Sequence, residues 1–260
     1  MSRRALPTLV LGVSLCAVLG AVVGGGAAHA YRPPARLLLQ KAMDRQVERG
    51  TKTLKVEVET QLFDAAGSAR GPAFAEHLMV QAPGSMRRES ELPEGTRVEL
   101  RVDDKQLVKQ PGQADKAGKA ATDLLFDFIT VAPPLDADRA MERVLKGMKA
   151  LGISPEVVSF ARFDGRIAYL IGSKPWEVDK PQLWLDKDTL LVTRVVMVQK
   201  GEGGANQRVD VRYLGWGSPI GGVWFPAGIE VWVDDKLVRR TLVEDVDRNV
   251  AFDATLFQLK

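Results

Sequence analysis

Cysteine is almost missing from this chain: Cys16 is the single example in 260 residues, and it lies in an apolar run near the start. Leu15 precedes it, where a lipidation site would need a small residue. Beyond that run no disulfide, thiolate nucleophile or cysteine-ligated metal is available, so stability has to come from packing. Histidine is nearly as scarce, with only His29 and His77. A histidine-rich zinc site is thereby excluded, and hydrolysis with a histidine base would have to use His77 alone.

Residues 1–30 have the layout of an export signal. Arg3 and Arg4 supply the positive start, residues 6–23 are almost uninterruptedly apolar, and Ala28-His29-Ala30 closes in a small-x-small pattern. We expect cleavage near Ala30, a mature chain from Tyr31, and a periplasmic location. An uncleaved anchor is the rival reading, because the run approaches the lower length of a membrane span. The rest, residues 31–260, is expected to form a single domain. Charge of one sign is also lacking. The whole chain carries 36 basic and 33 acidic residues, and without Arg3 and Arg4 the excess is +1. No global field draws the mature chain to nucleic acid or to an anionic membrane.

A convergent polar site is missing too. Glu57 and Glu59 share one side of a strand, as paired glycosidase acids could, but that side is the charged one and reads as solvated. Asp103-Asp104, Asp186 with Asp188, and Asp234-Asp235 resemble loose metal ligands, yet each falls in a hairpin turn, where aspartate is favoured for local hydrogen bonds. Gly201-Glu202-Gly203-Gly204 lacks the Lys-Ser/Thr and the following helix of a phosphate loop. His77 reads as a rim or surface residue. We expect no catalytic residues, no metal and no cofactor.

What is present is alternation. Residues 54–62 place Leu54, Val56, Val58, Thr60 and Leu62 on one side and charged or amide side chains on the other, the pattern of a strand with one wet face. Similar segments fall near 73–80, 86–91, 97–102, 157–163, 166–171, 182–185, 190–198, 207–214, 229–233 and 237–246, with Asp164-Gly165 a strong hairpin signal and Asp103-Asp104-Lys105 a tight turn into 106–109. We read about ten or eleven strands, too many for one flat sheet of ordinary size. Residues 111–119, small and polar, read as a loop.

Two helices are expected. One covers 35–48, after Pro33-Pro34 and before Gly50; the other follows an N-cap at Asp136 and ends at Gly152. Between them, Leu124, Leu125, Phe126, Phe128, Ile129 and Val131 form an apolar cluster without a clean period. It is either a core helix or a cover over an apolar cavity. No βαβ alternation occurs. The fold class is therefore α+β, a long curled antiparallel sheet whose apolar face is covered by helices. Such a hollow suits an acyl chain, since each buried methylene contributes roughly 0.8 kcal/mol without directional partners. Leu124, Leu125, Phe126, Phe128 and Ile129 are candidate contacts for such a chain. All five tryptophans lie in the C-terminal half, and Trp184 and Trp224 are candidates to line the pocket as readily as they are sheet core.

Several motifs, in order, resemble the LolA-like periplasmic lipoprotein carriers. They are Leu183-Trp184-Leu185-Asp186-Lys187-Asp188-Thr189-Leu190-Leu191, Val223-Trp224-Phe225-Pro226, the closing stretch from Asp245 to Phe257, and in the N-terminal half Pro83-Gly84-Ser85-Met86-Arg87-Arg88 with Asp104-Lys105-Gln106-Leu107. The resemblance implies that the curled sheet forms an incomplete β-barrel with helices covering its apolar concave face, in a non-enzymatic, monomeric carrier that holds lipoprotein acyl chains or other lipids beneath the helical lid, in transient contact with membrane lipoprotein machinery. The same fold also serves envelope sensors, the alternative reading. Ala82 stands where the well-studied carriers have an arginine that latches the lid, so Arg87 or Arg88 is expected to take that role.

Overall fold

The computed structural model describes residues 32–131, 137–201 and 203–259. The export segment at 1–30, Tyr31, Pro133-Pro134, the cap at Asp136 and Glu202 lie outside the described residues. The elements run α1 (Ala35–Glu48), β1 (Thr53–Leu62), β2 (Phe74–Gln81), β3 (Ser85–Leu92), β4 (Gly95–Val102), β5 (Lys105–Lys109), β6 (Lys116–Lys119), α2 (Leu124–Ile129), α3 (Ala137–Ala150), β7 (Val158–Phe163), β8 (Arg166–Ile171), β9 (Gln182–Asp186), β10 (Val192–Lys200), β11 (Asn206–Leu214), β12 (Gly228–Val233) and β13 (Lys236–Arg248), with a C-terminal 3-10 turn at Ala254–Phe257. No described helix is long and apolar enough to cross a membrane.

All 13 strands form one sheet in the order β6-β5-β4-β3-β2-β1-β13-β12-β11-β10-β9-β8-β7. Two meanders meet where β1 pairs antiparallel with β13. The count exceeds the expected ten or eleven, and β6 lies in the segment expected to be a loop. Its residues are all exposed, so no alternation of apolar side chains betrays it. The hairpin turns are as read: Asp103, Asp164, Asp234 and Asp235 have positive φ, which short polar side chains tolerate. In the β9–β10 turn the Asp186 carboxylate accepts from Asp188 N, Thr189 N and Thr189 Oγ1, which explains the Asp-Lys-Asp-Thr run.

Alternation decides which side of β1 is inside. Leu54, Val56, Val58 and Thr60 are buried, whereas Glu57 pairs with Lys55 outside at 2.8 Å. Register carries this face across the sheet: Val56 opposes Leu78, and Val211 opposes Val195. Helix α1 lays Leu38, Leu39, Ala42 and Met43 against the inner face, and Gly50, at φ 63°, ends it. Helix α3 adds Ala140, Met141, Val144 and Met148. Both α2 and α3 lie in the connection from β6 to β7, the two outermost strands, so the chain crosses the covered face between them.

The outer face has its own polar framework. Asp210, almost wholly buried, receives Arg194 bidentately at 2.7 and 2.7 Å and Arg212 at 2.9 Å. Burial acts to raise its pKa, but these arginines outweigh it and hold the carboxyl below the usual range. Arg194 stacks on Trp184 and Arg212 on Trp232, with centroid distances of 5.0 and 4.4 Å. Replacing Asp210 with alanine leaves two neighbouring guanidinium groups without their shared anion. We expect Asp210→Ala to lower unfolding free energy in urea by about 2 kcal/mol, less than for fully buried pairs because both arginines keep some solvent contact.

Candidate functional site

Between α2 and the inner face lies a cavity of about 300 Å³. Nine neighbouring strands, from β5 through β1 and β13 to β10, contribute to its wall. Laid flat, nine strands would span about 38 Å at ordinary spacing, so the sheet must curl around the space for all of them to reach it. The apolar part of the floor is Val58, Leu78, Val80, Met86, Val195, Met197, Val211, Tyr213, Ile229 and Val231; the apolar roof is Leu124, Leu125, Phe126 and Ile129. Asp123 caps the roof helix, its carboxylate accepting from Phe126 N at 3.0 Å.

One ion pair ties roof to floor. Arg101 of β4 donates to Asp127 of α2 at 3.0 Å, both side chains being buried, while its guanidinium sits 4.2 Å from the centre of the Phe126 ring. The same arginine donates to Ala121 O and Asp103 O. Arg143 of α3 lies 3.9 Å from Asp127 on the other side. Burial pushes the Asp127 carboxyl up to about 6, the two arginines notwithstanding. A second cluster lies on the floor. Glu76 accepts from Thr60 at 2.5 Å, from Ser90 at 2.7 Å and from Arg239. Burial acts to raise the Glu76 pKa, but Arg239, the two hydroxyls and nearby Arg88 together hold it below the ordinary range.

No protein-family model matches the chain, and no curated protein matches it in sequence. Solved structures do. A LolA superfamily protein from Nitrosomonas europaea aligns over 87% of this chain and 98% of its own at TM-score 0.53 and 12% identity. A domain described as belonging to an outer membrane lipoprotein-sorting protein of Vibrio parahaemolyticus aligns over 85% and 95%, at TM-score 0.53 and 13% identity. A DUF1329 family protein from Desulfovibrio piger aligns over 88% and 98%, at TM-score 0.51 and 14% identity. The chain has the LolA fold.

The residues singled out in the sequence divide on this LolA frame. Leu124, Leu125, Phe126 and Ile129 line the cavity, whereas Phe128, also buried, packs in the surrounding core. Trp184 does not reach the cavity. It opposes Leu170 and Arg194 on the outer face and packs with Ala168 and Leu170, because Leu183 and Leu185 take the inner positions of β9. Trp224 also stays out of the wall: Arg248 covers its ring at 3.6 Å, and the adjacent Phe225 lines the cavity instead. Neither latch candidate bonds to α2 among the described residues. Arg87 points to the outer face, toward Glu89 and Leu256 O; Arg88 points into the cavity.

The arginine that does pair with α2 is Arg101, which the sequence reading passed over. In β4, Leu100 opposes Arg87 and Arg101 opposes Met86, so the apolar residues of this strand face outward, where the 3-10 turn lies against β3 and β4. The available signal was Asp127, one carboxylate in an otherwise apolar hexapeptide, which must find a cation if it is buried.

The raised Asp127 pKa fixes a sign. Between about pH 4 and pH 6 the folded chain binds more protons than the unfolded one, so this group's contribution to stability is present at the acid end and is lost as pH rises through 6. Across the window the change is roughly 3 kcal/mol. Urea titrations at intervals from pH 4.5 to 7.5 should show Asp127→Asn with a flatter profile than the parent, the variant gaining relative stability at the neutral end.

Proposed function

We propose that the chain is an exported, non-enzymatic carrier that holds an acyl chain in the cavity between α2 and the curled sheet and hands it on toward the outer membrane. The observation that carries this reading is the hollow itself, apolar on the roof and over much of the floor, with charged residues gathered at one end, and covered by a helix whose Asp127 is held by Arg101. Its cargo is the acyl portion of a lipoprotein or another amphiphilic lipid; the description of the Vibrio parahaemolyticus domain supports the first.

Magnitudes suit retention followed by release. About 300 Å³ offers room for roughly ten water-sized groups, on the order of one acyl chain, and sits at the low end for small-molecule sites. Burying ten methylenes yields on the order of 8 kcal/mol before the cost of association is subtracted. A larger cargo requires α2 to lift. Lifting returns Asp127 to water and recovers at neutral pH what its burial as an anion costs, so the lid is held without being locked.

Protein purified from its native envelope should contain lipid detectable by mass spectrometry and should bind a fluorescent fatty acid. Met197→Trp, which fills the floor of the cavity, should weaken that binding by about tenfold or more while leaving the far-UV circular dichroism unchanged. Repeated preparations without amphiphile, together with no fatty-acid binding, would refute the carrier. Recovery of a stable protein partner in that case would favour an envelope sensor or interaction module.

A further inference from the structure

The cavity wall is graded along the strands. On β2 the lining residues run Val80, Leu78, Glu76, and on β3 beside it Met86, Arg88. On the far side of β1, whose Val58 lines the cavity, β13 contributes Thr241 and Arg239. Within the cavity β2 and β3 thus pass from apolar to polar in one direction, toward the end where Thr241 and Arg239 stand. A hydrocarbon bound along them has its polar end prescribed.

Most polar groups at that end satisfy one another. Glu76 is taken by Thr60, Ser90 and Arg239, and Arg239 Nε also donates to Thr241 at 3.2 Å. Arg101 is taken by Asp127 and two carbonyls. Arg88 differs. Its side chain makes no hydrogen bond among the described residues, and its Nε is buried without a partner. Its ion-pair contact among them is Glu99 Oε2, at 3.7 Å, an oxygen that Arg97 also approaches at 3.9 Å; Gln106 occupies Glu99 Oε1 at 2.7 Å. A guanidinium is a planar fork of donors matched to carboxylate and phosphate oxygens, and burying its N–H groups unpaired costs free energy that a bound anion would restore.

We propose that the cavity is built for a single-chain amphiphile with a compact oxyanion head, a carboxylate or a phosphate monoester, and that Arg88 receives the head. The inference rests on the carrier reading and deepens it: the tail lies on Val58, Leu78 and Met197 beneath α2, and the head turns toward β3. The arginine then serves the cargo and not the lid.

Ten-carbon ligands, matched to the volume of the cavity, separate the two ideas. In displacement of a fluorescent fatty acid from the mature chain, decanoate and decyl phosphate should bind at least about tenfold more tightly than decanol, the worth of one charge-assisted pair. Whichever anion binds more tightly identifies the head. Arg88→Met should bring both anions down to the affinity of decanol and leave decanol itself unchanged within about twofold. Glu99→Gln, which removes the competing carboxylate, should strengthen anion binding several-fold and has no effect on decanol. Equal binding of decanol and decanoate by the parent, a uniform loss in Arg88→Met, or no gain in Glu99→Gln would overturn the head-group assignment with the carrier still standing. If Arg88→Met fails to fold, the gain or its absence in Glu99→Gln decides. If no ten-carbon ligand binds the parent, the carrier reading falls and this inference with it.

Discussion

The Arg101–Asp127 pair fixes the position of a helix that otherwise rests on apolar packing against the core and α3. Helix α2 is six residues long and all six are buried, so it has no wet face and too few turns to be stable by itself. Its apolar side chains border a space they do not fill, and contact with a space gives less than contact with packed atoms. A directional bond between two buried charges fixes where the helix sits without asking its hydrocarbon to interlock with the sheet. The same bond carries a penalty for dehydrating the carboxylate, visible in its raised pKa.

Connectivity supports the same arrangement. Because α2 and α3 belong to the strap that joins the two outermost strands, the roof is anchored to the sheet at both ends of the chain segment. The sheet beneath is independently braced: the first and last strands pair in its middle, and on the outer face Asp210 gathers Arg194 and Arg212 under stacked tryptophans.

How much of this could be read beforehand follows from how each element meets water. Strand β1 has one dry and one wet side, so its alternation gave both its existence and its orientation. Strand β4 alternates as cleanly, but both of its sides are covered, one by the cavity and one by the C-terminal turn, and alternation alone does not say which set faces inward. That ambiguity hid Arg101. Strand β6, exposed throughout, left no pattern at all. The cluster at 124–131 had no period because a helix buried on every side needs none. Trp184 illustrates the limit of composition: a large aromatic residue covers apolar surface equally well on either face of a sheet, and only register says which. The LolA fold itself was legible because it is written in the order of turns, each with a local physical cause, such as the Asp186 carboxylate collecting three donors.

An unclosed barrel ends in two strands whose outer N–H and C=O groups are free to template another chain. Strand β6 answers that hazard with brevity and composition: four residues, Lys-Ala-Gly-Lys, all exposed, place a charge at each end and a flexible glycine between. A second copy approaching edge to edge would meet its own lysines and find little length on which to zip. The strand that sequence patterning overlooked is thus suited to let the molecule keep its seam open while guarding against fibrous association.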